Sequence, residues 1–195
     1  MNEDQVLSLL MKTGAILKGH FLFTSGLHSP TYVEKFQVLQ YPEHTEALAA
    51  ALAERFVKDD VQVVVGPAMG GILLSHEVAK KLGTRALFTE REKGAMTLRR
   101  GFAIEPGERV LVVEDIVTTG GSVKEVLDVV TTAGGVIIGV GLLVDRSGGT
   151  VDLGVRTEAL LRLTNEKFPT DTYQPENCPL CAAGLPLTKR GSRKI

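Results

Sequence analysis

The sequence predicts an α/β fold: a mainly parallel, twisted sheet flanked by helices. Three observations carry that expectation. Apolar runs at 61–65, 109–113 and 136–144 have the length and the valine and isoleucine content of strands buried on both faces. The first two each lead into a glycine-bearing turn, Gly66-Pro67 with Gly70-Gly71 and Thr118-Thr119-Gly120-Gly121, and then into a helix-length segment. Strand and helix therefore alternate, and parallel strands need such crossovers.

Taken in order, 5–12 places Val6, Leu9 and Leu10 at helical spacing, with Gly14 as a stop. Residues 20–41 carry Gly26 and Pro30 among the aromatics Phe21, Phe23, Tyr32 and Phe36, and read as short strands and loops. Helical period returns over 43–56 through Leu48, Ala51, Leu52 and Phe56. After the strand at 61–65, a helix is expected to run to Leu82 and close at Gly83. An extended run at 85–89 precedes a polar interval and the second strand, 109–113. Ser122 stands where an N-cap belongs, ahead of the stripe Val123, Val126, Leu127 and Val130, and Gly134-Gly135 ends that helix. The third strand reaches Asp145-Arg146, 160–163 adds an edge strand, and the tail holding Lys189, Arg190, Arg193 and Lys194 is expected to be mobile.

A chain of 195 residues, 44% of them hydrophobic, fits one domain with one sizeable core, here 1–195. Its 22 basic and 23 acidic residues nearly cancel, which argues against nucleic acid or an anionic membrane surface as partner and for a small molecule. No run of about 18 uncharged apolar residues occurs, and Met1-Asn2-Glu3-Asp4 lacks the pattern of a secretory signal, so a cytoplasmic location is expected. Cys178 and Cys181 are too few to staple a secreted scaffold, and two thiols do not close a tetrahedral zinc site. Two reduced thiols in a C-terminal turn are expected, with a zinc shared across a symmetric dimer as the alternative, and no metal-ligating residue is assigned.

Ligands of open parallel sheets bind beyond the carboxyl ends of the strands. There the string Val112-Val113-Glu114-Asp115-Ile116-Val117-Thr118-Thr119-Gly120-Gly121-Ser122 combines glycines that turn tightly, hydroxyls that donate hydrogen bonds, and a helix N-terminus that presents amides to an anion. Glu114 and Asp115, just before the loop, suit the hydroxyls of a sugar. A ligand with a phosphate and a diol, such as a ribose 5-phosphate, satisfies both ends. Neither the triphosphate P-loop pattern nor the dinucleotide G-x-G-x-x-G fingerprint is present.

This string resembles the motif by which type I phosphoribosyltransferases bind 5-phosphoribosyl 1-diphosphate (PRPP). The resemblance implies that family's fold. It assigns the ribose hydroxyls to Glu114 and Asp115, and PRPP binding to the rest of the string: Ile116, Val117, Thr118, Thr119, Gly120, Gly121 and Ser122. Gly66-Pro67-Ala68-Met69-Gly70-Gly71 resembles the family's pyrophosphate loop, which implies PRPP contacts at Ala68 and Met69 and a cis peptide between them. Gly19-His20-Phe21-Leu22-Phe23-Thr24-Ser25-Gly26-Leu27-His28-Ser29-Pro30-Thr31-Tyr32 resembles the N-terminal segment of orotate phosphoribosyltransferases. That likeness implies a small hood, about 1–42 plus the C-terminal segment, over a core of about 43–165. It sets Tyr32 beside the ring of the base and Ser25 and Gly26 over it, with Thr118 also touching the base. Arg146 matches the family's orotate-binding arginine; orotate differs from other nucleobases by a carboxylate, which a guanidinium engages through two parallel hydrogen bonds.

The implied activity is transfer of the phosphoribosyl group from PRPP to orotate, giving orotidine 5-phosphate and pyrophosphate, in pyrimidine (UMP) biosynthesis. Mg2+ bound mainly through PRPP, and a homodimer that shares its catalytic loop, come with it. One departure stands out. Many members carry R-K-E-x-K-x-H-G in that loop, whereas this chain has Glu90-Arg91-Glu92-Lys93-Gly94 and no histidine before Arg109. Arg91 and Lys93 are the expected catalytic cations, with Asp115 on the sugar and Arg99 and Arg100 in reserve; Thr24 stands where some relatives have lysine. Two rival readings are a phosphoribosyltransferase for another base and a non-catalytic PRPP sensor.

Overall fold

The computed structural model describes residues 1–23, 25–165 and 168–190. Thr24 and the tail residues Arg193 and Lys194 lie outside the described residues.

The chain opens with α1 (Glu3–Lys12), started by a full capping box: Asn2 Oδ1 accepts from Gln5 N at 2.9 Å, and Gln5 Oε1 accepts from Asn2 N at 3.0 Å. β1 (Ile16–Leu22) and β2 (His28–Val33) form an antiparallel hairpin. The short α2 (Phe36–Leu39) leads into α3 (Pro42–Ala53), which begins one residue earlier than expected because Pro42 suits the first helical turn. It also ends earlier. Arg55 N and Phe56 N bond to Leu52 O and Ala53 O, tightening the last turn, yet Phe56 is still fully buried.

Then follow β3 (Val63–Pro67), α4 (Gly70–Leu82), β4 (Arg85–Glu92), β5 (Ala95–Leu98), β6 (Arg109–Val117), α5 (Gly121–Thr132), β7 (Val136–Asp145) and β8 (Thr157–Arg162). Six of these strands form one sheet in the order β5-β4-β3-β6-β7-β8, parallel throughout except for β5, with β8 at an edge as expected. Its alternating side chains build two cores: Leu111 and Val113 of β6 pack with α1, α3 and α4, while Val110 and Val112 pack with α5. The stripe Val123, Val126, Leu127 and Val130 is buried as its spacing predicts. A 3-10 turn (Pro175–Asn177), α6 (Pro179–Ala182) and β9 (Thr188–Lys189) are the last elements among the described residues, β9 adding to β1 in a three-stranded sheet β2-β1-β9. No helix among the described residues is long and apolar enough to cross a membrane.

Two local expectations are corrected. The interval after Thr89 is a β-hairpin, not a loop: β4 continues to Glu92, which pairs with Ala95. Lys93 and Gly94 both take positive φ, the geometry of a two-residue hairpin turn, with Gly94 the residue of the pair suited to it. Ser122 is not the N-cap of α5. Gly120, at φ 77°, holds that position, because a left-handed glycine lets the chain enter the helix earlier. A β-carbon on Gly120 would lie 2.7 Å from Val151 Cγ1, so the site also lacks room for a side chain.

Candidate active site

The carboxyl ends of β3, β4 and β6 surround a cleft of about 370 Å³, lined by Lys35, Ala68, Met69, Arg91, Glu114, Asp115 and Ser122 among others. Its floor is the acid pair. Glu114 and Asp115 are 8% and 2% exposed, and Asp115 N donates to Glu114 Oε1 at 2.9 Å. Burial pushes the Glu114 carboxyl well above its usual range, and the neighbouring Asp115 charge pushes it further. Asp115 is also raised by burial, which outweighs its nearby ammonium.

That ammonium belongs to Lys35, just before α2. Its Nζ donates to Asp115 Oδ1 at 3.0 Å and lies 2.9 Å from Oδ2, yet Oδ2 receives no well-directed hydrogen bond. Burial alone would lower Lys35; the Asp115 carboxylate more than reverses that and keeps the lysine charged. A deeply buried acceptor oxygen with spare capacity is what a sugar hydroxyl can use. Lys35 was missed in the sequence because 80 positions separate it from its partner and no local pattern joins them.

The walls are two helix N-termini. Neither α4, which starts at the Met69 cap, nor α5, which starts at Gly120, has a side-chain cap bonded to its first-turn amides. Uncapped amides at a cleft wall are positioned for an anion. Thr118 and Thr119 are exposed in the turn before α5, and Gly121 is exposed at its start. Across the cleft the Ala68-Met69 peptide is cis, as the resemblance implied, and Ala68 N donates to Thr89 O at 2.7 Å. The glycines here permit close approach: a β-carbon on Gly66 would overlap Gly71 O, and one on Gly70 would overlap Asp115 Oδ2.

The expected loop cations divide. Arg91 lines the cleft, its guanidinium bonded to Gly94 O at 2.8 Å and Glu125 Oε1 at 2.7 Å. Lys93 sits at the tip of the β4–β5 hairpin and does not line the cleft. Arg99 and Arg100 are engaged by acids: Arg99 lies 3.2 Å from Glu92 and Arg100 3.0 Å from Glu90.

Beside the end of β7, Arg146, Phe23 and Tyr32 form a second cluster. The Arg146 guanidinium stacks 4.5 Å from the Phe23 ring centroid, and Phe23 lies 6.3 Å from the Tyr32 ring. Asp145 holds the turn that aims this arginine, accepting from Ser147 N at 2.8 Å and Ser147 Oγ at 2.6 Å. Among the described residues no acid pairs with Arg146; its Nε is buried without a partner, and burial lowers its pKa. Burial also raises the Tyr32 phenol, with the Glu34 charge adding to it. Phe23 was visible in the sequence only as one of several aromatics. Ser25 is exposed in the β1–β2 turn, where its Oγ is 3.5 Å from Leu27 N.

Comparison with known proteins follows the same lines. Residues 37–173 match the family model of the phosphoribosyl transferase domain. Over all 195 residues, and all of its own length, the orotate phosphoribosyltransferase of Desulforamulus reducens is 58% identical. That of Thermotoga maritima is 50% identical across 96% of this chain and 97% of its own. Among solved structures, the orotate phosphoribosyltransferase of Aeropyrum pernix superimposes with a TM-score of 0.68 at 26% identity, covering 83% of this chain and 97% of its own.

Proposed function

The chain belongs to the phosphoribosyl transferase family, among the orotate phosphoribosyltransferases, and on that premise we propose that it joins orotate to the ribose of PRPP and releases pyrophosphate. The observation that carries the choice of base is Arg146: a guanidinium with a buried, unpartnered Nε beside two aromatic rings fits a planar ring bearing a carboxylate.

The reaction forms a bond from ribose C1 to the ring nitrogen of orotate and breaks the bond from C1 to a pyrophosphate oxygen, which leaves with the electron pair. The ring nitrogen gives up its N–H proton, to solvent or to the departing pyrophosphate, as that bond forms, and the protein's task is to orient the reactants and stabilise charge. Asp115 Oδ2 and Glu114 hold the ribose hydroxyls. The amides and hydroxyls from Thr118 to Ser122 take the 5-phosphate, and those around Ala68 to Gly71 take the pyrophosphate, with Arg91 above it. The oxygen donors of Glu114 and Asp115 fit Mg2+, which they would hold together with the substrate's phosphates and which would neutralise charge developing on the leaving group. Lys35 already offsets one of those carboxylates, which speaks against a dedicated carboxylate cage for the ion. Lys93, outside its own chain's cleft, is free to serve a neighbouring one in a homodimer. A cytoplasmic enzyme of pyrimidine synthesis is the corresponding role.

The deciding assay mixes protein, Mg2+, PRPP and orotate and follows orotidine 5-phosphate and pyrophosphate. Turnover with adenine or hypoxanthine and none with orotate would overturn the assignment, and PRPP binding without any turnover would favour a sensor. A narrower check concerns the cleft wall. Gly70→Ala should force Asp115 off its position, cost about 1–3 kcal/mol of stability and raise the KM for PRPP about tenfold. A variant with the parental Tm and the parental KM would show that this close approach is not needed.

A further inference from the structure

Away from the cleft, four side chains of ligand type converge from the two ends of the chain. His20 is near the end of β1 and His28 opens β2, while Cys178 caps α6 and Cys181 lies within it. One ligand atom from each lies within 4.8 Å of all the others. His20 Nε2 is 2.9 Å from His28 Nδ1, 3.6 Å from Cys178 Sγ and 3.8 Å from Cys181 Sγ; His28 Nδ1 is 3.3 Å from Cys181 Sγ. Bonds of about 2.0–2.1 Å to nitrogen and about 2.3 Å to sulfur in a tetrahedron separate the ligands by about 3.3 Å (N to N) and about 3.6 Å (N to S). The three nitrogen-to-sulfur separations straddle that value, and the nitrogen pair is a few tenths of an ångström short of it.

Two independent features agree with a metal. The other ring nitrogen of His20, Nδ1, is 2.9 Å from Leu185 O. A carbonyl only accepts, so Nδ1 carries the proton and Nε2 turns a lone pair toward the cluster, the arrangement in which an outer carbonyl orients a ligating imidazole. The C-terminal segment also has almost nothing else to hold it. From 169 to 190, Cys178 is the only buried residue; the segment is otherwise joined to the hairpin by the two-residue β9 pairing and a bridge from Tyr173 to His28. Apolar burial does not explain why it docks.

We propose that His20, His28, Cys178 and Cys181 bind one structural zinc ion that pins the C-terminal segment to the β1–β2 hairpin. Two thiolates and two imidazoles select zinc over harder cations, and four protein ligands leave no open position for chemistry. Both thiols are thereby absorbed: the Cys-Pro-Leu-Cys run supplies two ligands from a single short turn, and the histidines, too far away in sequence to suggest it, complete the set. The pinned hairpin is the one that sets Tyr32 and Phe23 against Arg146, so the ion acts on the base pocket from outside it.

The test does not depend on turnover. Purified full-length protein should contain zinc near one per chain; after stripping with a chelator it should take up one equivalent again, with the segment 169–190 becoming protease-sensitive in between. Cobalt in place of zinc should give the ligand-field and thiolate charge-transfer bands of a tetrahedral site with two sulfurs. Cys178→Ser combined with Cys181→Ser should abolish uptake. Should that variant fail to fold, X-ray absorption on the parental protein, with a first shell of two nitrogens and two sulfurs, decides the matter. Zinc far below one per chain after titration, stoichiometric zinc retained by the double variant, or a disulfide between the two cysteines in protein purified without reductant and still properly docked would each overturn the proposal.

Discussion

Arg146→Ala should lower kcat/KM for orotate by about 2–5 kcal/mol, roughly thirty-fold to several thousand-fold, while the KM for PRPP changes little. On the proposed role, the size follows from what would be lost: a guanidinium with no acid partner among the described residues is desolvated, and the paired hydrogen bonds it would make to a carboxylate would have no substitute in the pocket. Phe23 would remain, and stacking alone does not distinguish orotate from uracil. Arg146→Lys is the informative companion. It keeps the charge and loses the planar fork, so it should recover only part of the loss. Steady-state kinetics with each substrate varied in turn provide the check, and equal losses toward orotate and PRPP would remove the assigned role.

Asp115→Asn should have the opposite signature, with PRPP use falling about 100-fold and the KM for orotate close to the parental value. The amide keeps the shape of the carboxylate but replaces an acceptor oxygen with a donor at the spot where, on the proposed role, a ribose hydroxyl would give its hydrogen. It also leaves Lys35 without its first partner and with only the more distant Glu114, so the variant should lose stability as well. Lys35→Met separates the two effects. If pairing with Lys35 is what positions Asp115, that variant should raise the KM for PRPP without changing which base is used; an unchanged KM would reduce Lys35 to charge balance. Stability is read from Tm and substrate use from initial rates, so loss of folding is not mistaken for loss of binding.

Much of this arrangement was legible in the chain. The strand ends and the stripe on α5 obey short periodicities, and the two glycine-bearing loops announce themselves because a tight turn, an anion and an uncapped helix start all make demands on adjacent residues. Errors were local. Ser122 matched the preference for a cap, but Gly120 could adopt a left-handed conformation and took the position first. The interval after Thr89 looked like a loop because its residues are charged; the Lys93-Gly94 turn folds it into a hairpin nonetheless.

Residues a few positions apart therefore determined the sheet, the helices that flank it, the phosphate-type loops, and the placing of Glu114, Asp115 and Arg146 at strand ends. Tertiary structure alone decided who meets whom across the chain. It set Lys35 on Asp115, Phe23 against Arg146, and His20 and His28 beside Cys178 and Cys181. Periodicity and turn chemistry act over one or two turns of chain, whereas an ion pair or a ligand cluster depends on distances that exist only once the sheet, the hairpin and the C-terminal segment have packed.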